Sequence, residues 1–156
     1  MSGAKPARRE LDFRSFREVR DEVARLRREG YEQAGNWDLA QVCGHLADWL
    51  RYPVEGFPMR RLPWLARATV GRWFGNRILR TRKMPSVKTG AKASVHPPGE
   101  DLDANVAALE RAIRRYESHA EPLAPSPVFH NLTREQYDQI QLIHCAHHLS
   151  FLVPKG

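Results

Sequence analysis

Long apolar runs are missing from this 156-residue chain: no segment approaches the roughly 20 consecutive apolar residues that a bilayer-crossing helix requires. Alternating polar and apolar stretches of useful length are missing too, which argues against a sheet-built domain. Cysteine is scarce. Cys43 and Cys145 are the only two, too few for a disulfide framework. The first residues, Met1 to Arg9, lack the apolar core of a secretory signal, and the expected location is cytoplasmic. Acidic side chains are absent from Gly56 to Gly99, while Arg60, Arg61, Arg67, Arg72, Arg77, Arg80, Arg82, Lys83, Lys88 and Lys92 fall in that stretch. The formal net charge is +7. A basic block of this kind serves an anionic substrate, nucleic acid or an acidic membrane surface, or is simply a solvated face.

What remains is globular composition, 42% hydrophobic and 28% charged, at a length suited to one domain with its own core. Residues 1–10 read as a disordered tail and 11–154 as a single domain. Helical signals recur along that domain. Ser15-Phe16-Arg17-Glu18 is a capping box, followed by an apolar stripe of Phe16, Val19, Val23 and Leu26 and a stop at Gly30. Asn36 is placed to cap a second helix from about Trp37 to Tyr52, ended by Pro53, with Leu39, Val42, Cys43, Leu46, Trp49 and Leu50 inward. Trp64 to about Thr81 reads as helix despite Gly71 and Gly75, although its apolar residues do not collect on one helical face. The 83–100 stretch, rich in proline and glycine, is long enough to suggest a lid. Another helix starts at Asp101 or Asp103. The last follows the capping box Thr133-Arg134-Glu135-Gln136 and is apolar on most of its circumference, as at the centre of a bundle. The architecture expected is all-α, an antiparallel four-helix bundle with an additional helix or long loop.

Inside that last helix the sequence His144-Cys145-Ala146-His147-His148 places imidazoles where apolar side chains are usual. Neutral imidazole is the commonest protein metal ligand, and residues four apart on a helix point the same way. His144 and His148 are therefore candidate ligands of one divalent ion, with His147 as the alternative at three residues' spacing. His45, at the edge of the inward face of the second helix, is a candidate third ligand, and Gln41 and Asp48 stand one turn from it, placed to orient its ring. Three protein ligands leave a coordination position open for water or substrate. Asp48 and Glu55 are general-base candidates by proximity in sequence alone. The two cysteines read as small core residues, and His96, His119 and His130 as ordinary loop or surface histidines.

The run Asn36-Trp37-Asp38-Leu39-Ala40-Gln41-Val42 leading into His45-Leu46, together with Leu132-Thr133 and His144-Cys145-Ala146-His147-His148-Leu149, resembles the DinB/YfiT-like superfamily from about Leu11 to Pro154. The resemblance implies a four-helix bundle holding a divalent metal, zinc or nickel, by His45, His144 and His148, with His147 a supporting neighbour. It also implies a thiol-dependent transferase or related activity on a small molecule, with a low-molecular-weight thiol as cosubstrate, and a homodimer. Leu149-Ser150-Phe151 stands where relatives commonly carry a polar Arg-Gly-Gln-like run. Arg67, Arg72 and Arg77 are candidates for an anionic group of such a cosubstrate, since guanidinium pairs with carboxylates in a bidentate fork. A different class of function is a binding module in which the basic 60–92 segment, with Trp64, Trp73 and Phe74, docks on nucleic acid or an anionic membrane.

Overall fold

Ser15 Oγ accepts a hydrogen bond from the Glu18 amide while the Glu18 carboxylate accepts one from the Ser15 amide, and this reciprocal cap opens α1 (Phe16–Glu29). Phe16, Val19, Val23 and Leu26 form its buried stripe, and Gly30, at φ 72°, ends it in a conformation that favours glycine. The computed structural model describes residues 4–86 and 94–156. Lys88, Lys92 and part of the expected 83–100 lid fall outside them.

Two short strands follow the ends of helices. β1 (Tyr31–Gln33) pairs antiparallel with β2 (Leu152–Pro154), Glu32 opposite Val153. Three residues are too few for an alternating pattern to be legible, which is why no strand is expected from the sequence. The ladder ties the exit of α1 to the C-terminal end of the chain.

α2 (Leu39–Glu55) starts two residues later than its composition predicts and runs three residues further. Asp38, not Asn36, is the cap: it accepts from the Gln41 amide, and the Gln41 side chain accepts from the Asp38 amide. Asn36 instead accepts from Lys5 Nζ at 2.9 Å. Pro53 lies inside the helix. A proline lacks the N–H that would bond four residues back, so the Trp49 carbonyl is left free, and Gln141 Nε2 fills it at 2.9 Å. A cross-helix amide thus replaces the missing backbone donor.

The next rod consists of α3 (Trp64–Ala66), a π turn (Arg67–Gly71) and α4 (Arg72–Thr81). Thr69 Oγ1 donates to the Leu65 carbonyl at 2.7 Å, a local bond that competes with the regular ladder. Gly71 and Gly75 sit where the rod meets the 126–132 segment; a Cβ on Gly71 would lie 2.2 Å from the Val128 carbonyl oxygen. The glycines that weaken the helical signal in sequence are there for close approach.

α5 (Leu102–Ser118) is capped by Asp101, and α6 (Arg134–Leu149) by the Thr133–Gln136 box. α2 packs along α5 and also on α6; α1 packs on α5 and α6, and α4 on α6. α6 is consequently covered from several sides, with Ile140, Ile143, Cys145, Ala146 and Leu149 buried. The main core joins α1, α2, α5 and α6, and a second cluster of Ile78, Ile140 and Ile143 seats α4. The chain is predominantly helical. No helix among the described residues is long and apolar enough to cross a membrane.

Residues 4–10, expected as part of a disordered tail, lie against the body. The Arg8 guanidinium sits 4.2 Å from the Phe151 ring centre and donates to Ser150 Oγ at 2.7 Å. Arg9 pairs with the buried Glu22. Low apolar content hides this docking, because it is made by guanidinium groups and backbone.

Candidate metal centre

His45 reaches the interior because α2 buries nearly every residue of its first two turns. His144 and His148, one α-helical turn apart on α6, face it. His45 Nε2 lies 3.2 Å from His144 Nε2, and His148 Nε2 lies 3.0 Å from the same atom. One ligand atom from each of the three histidines falls within 4.8 Å of the others, a group that could hold a metal ion. His45 is buried, and His148 keeps partial exposure.

The tautomers are readable from the partners. The Ser94 carbonyl lies 3.0 Å from His45 Nδ1 and can only accept, so Nδ1 carries the proton and Nε2 presents its lone pair to the cluster. His144 Nε2 then faces two imidazole nitrogens and has at most one proton to share between them. A cation at the centre satisfies all three lone pairs. The two separations from His144 suit this, with the whole group within 4.8 Å: tetrahedral zinc, with Zn–N of about 2.05 Å, sets its nitrogen ligands roughly 3.3 Å apart.

The electrostatics favour the metal-binding form. Burial pushes the His45 imidazole down to about 4, against the opposing pull of the Ser94 carbonyl. Burial, followed by the neighbouring His45 and His147, holds His144 well below its ordinary value. His148 is lowered by burial first and then by His144 and His45. All three rings are therefore neutral at pH 7, as ligation demands.

Aromatic rings wall the cluster. Trp37 stacks on His148 with centroids 5.3 Å apart and planes within 8°, and meets His45 edge-on. Trp49 stands edge-on to His144 at 5.6 Å, and its Nε1 donates to Ser94 Oγ at 3.0 Å.

Gln41 and Asp48 hydrogen-bond elsewhere than to His45. Gln41 Nε2 donates to the His96 carbonyl at 2.8 Å, and Asp48 accepts from His96 Nε2 at 2.8 Å. They hold the 94–100 segment, whose Ser94 carbonyl orients His45 in their stead. His96 is accordingly no ordinary surface histidine: its Nδ1 donates to Glu100 at 2.8 Å, and its ring lies against Gly44. Gly44, a glycine within a core helix, is the sequence signal that another group approaches there. Ser94 itself carries no such signal. His147 is not one of the three converging ligands but their neighbour: it meets His148 edge-on with ring centres 4.9 Å apart, accepts from Arg8 Nη2 at 3.0 Å and packs edge-on against Phe151.

The three arginines are not grouped with the histidines. Arg67 is buried and donates through Nε to the Leu62 carbonyl at 3.0 Å. Arg72 lines a separate cavity of about 260 Å³ with Asn76, His130 and Gln136, and Arg77 lies 5.9 Å from the Trp73 ring centre. Glu55 is engaged by Arg51 and Arg115. Cys43 and Cys145 are buried free thiols, each pushed up to about 12 by burial, and neither belongs to the histidine group.

Fold and site together define a helical protein with a three-histidine cluster between two helices. The chain belongs to the family described as Protein of unknown function (DUF1569), whose model matches residues 5–155. Comparison with curated proteins and with solved structures gave no match.

Proposed function

We infer that this protein is a divalent-metal-dependent enzyme acting on a small molecule, with His45, His144 and His148 as the ligands. The observation that carries this is the convergence of three neutral imidazoles, walled by tryptophan, with the His45 tautomer fixed by the Ser94 carbonyl. Three protein ligands are the number that leaves a position open for water or substrate. The ion, zinc or nickel, would lower the pKa of a bound water or thiol and so supply a nucleophile near neutral pH. The chain's own residues do the rest. Ser94 keeps the His45 lone pair aimed at the centre, Gln41 and Asp48 hold the segment that carries Ser94, and Trp37 and Trp49 exclude water from two sides.

The activity proposed is thiol-dependent transfer or hydrolysis, by the resemblance to the DinB/YfiT-like superfamily. The same resemblance supports an antiparallel four-helix bundle of α1, α2, α5 and α6 over residues 11–154, a homodimeric assembly and a cytoplasmic location. A polar substrate anchor after the final histidine is not part of the proposal, because Leu149 is fully buried and Phe151 packs on Arg8.

Cobalt(II) substitution tests this reading. Protein reconstituted with cobalt should show the intense visible bands of a tetrahedral nitrogen site, and a low-molecular-weight thiol should add a sulfur-to-cobalt charge-transfer band. A cobalt spectrum unchanged by a panel of such thiols would remove the thiol-linked part. Metal-loaded protein silent towards thiol-transfer and hydrolysis substrates alike would remove the enzyme.

A further inference from the structure

The rod from Trp64 to Thr81 keeps one face buried, through Arg67, Gly71, Gly75 and Ile78, and turns the other outward. On and beside the outer face large apolar side chains are bare: Trp64 and Leu65 are each 65% exposed, Val70 68% and Trp73 63%. Leu65, Thr69, Trp73 and Arg77 are all exposed and succeed one another every four residues, a spacing that keeps them on one side of the rod through the π turn at Arg67–Gly71. Arg61, Arg72, Arg77 and Arg80 are exposed among them, with no acidic residue anywhere from Gly56 to Gly99.

We propose that this face is a docking surface for an anionic lipid bilayer, with Trp64, Leu65, Val70 and Trp73 entering the headgroup region and the arginines pairing with lipid phosphates. Tryptophan is the residue of membrane–water interfaces, and a basic amphipathic helix lies in that plane. Charge complementarity selects this occupant. A second copy would set one row of arginines against another with no carboxylate between them. Nucleic acid would engage the arginines and stack on the tryptophans, but gives Leu65 and Val70 no apolar phase to enter. The tip of the molecule would dip into the interface without any helix crossing it.

The test uses the whole chain and vesicles of phosphatidylcholine, with and without phosphatidylglycerol. Wild-type protein should co-sediment with the anionic vesicles only, show tryptophan emission quenched by brominated lipid, and be released by salt at roughly 0.5 M, where charge screening acts within a few ångströms. The W64A/W73A double variant should lose about tenfold or more in partitioning, and R72Q/R77Q/R80Q a comparable amount. All these side chains are exposed, so unchanged circular dichroism and thermal midpoint should accompany both losses. Failure to sediment with anionic vesicles overturns the proposal, as does equal binding to both vesicle types. Duplex DNA binding that survives W64A/W73A, or a concentration-dependent dimer abolished by it, likewise overturns it in favour of that partner.

Discussion

His96 is held between two acceptors that carry no proton of their own, Asp48 and Glu100, so both ring nitrogens must donate. Burial works to lower its pKa, but the two carboxylates outweigh it and the net shift is upward from 6.5. A raised histidine contributes stability that is fully present below its unfolded value of 6.5 and is lost as the pH rises through the folded value. The nitrogen NMR signals of His96 should therefore keep the imidazolium form to a higher pH than a free imidazole does, whereas His45, pushed down to about 4, should be the neutral Nδ1–H tautomer at pH 7 in metal-free protein. A His96 that loses its proton at or below 6.5 would contradict the carboxylate clamp. The three cluster histidines act in the opposite sense. Their depressed values favour the fold above 6.5, and the metal-free protein should lose stability as the pH falls from 6.5 toward 4, seen as a falling urea midpoint. The two thiols give a simpler check. With both at about 12 and buried, Cys43 and Cys145 should resist iodoacetamide at pH 8 until denaturant is added, as read by mass spectrometry.

Among the elements, the ones that carry the strongest demands are the irregular ones. Gly71→Ala would drive a Cβ into the Val128 carbonyl, a backbone atom with no flexible side chain to yield. It should lower unfolding free energy by about 1–3 kcal/mol, measured by denaturant titration. Gln141→Leu would strip the Trp49 carbonyl of its donor beside Pro53, at a cost of about 1–3 kcal/mol. The regular parts of these elements are legible in sequence: the Ser15 and Thr133 capping boxes open α1 and α6 where the pattern puts them. Pro53 was not legible as a helix interior, because its compensation comes from Gln141, 88 residues away. The start of α2 was misplaced at Asn36, a good capping residue by type, because it is the Gln41 side chain accepting from the Asp38 amide that makes Asp38 the cap. The exposed side of the Trp64–Thr81 rod was not legible, because apolar residues lie on both sides of it, Ile78 buried and Leu65 and Trp73 exposed, so no single apolar stripe marks the covered side.

For the whole molecule, the site depends on His45 and His144, 99 positions apart in sequence on two helices that the core brings together. The pair on α6 was legible from its spacing and His45 from its place on an inward helix face. The 94–100 segment that orients His45 was not, because loops carry no period. Metal binding to the native state alone should raise thermal stability with metal concentration, by about 2.7 kcal/mol at a hundred times the dissociation constant. That rise should be absent in His144→Ala. The most direct measurement is the metal content of tag-free protein, by mass spectrometry after equilibration with zinc or nickel and gel filtration. A three-histidine site predicts about one divalent ion per chain in the wild type, retention in His147→Ala, and loss in His45→Ala, His144→Ala and His148→Ala. Stoichiometric metal in His144→Ala, or a wild-type chain that retains none, would contradict it.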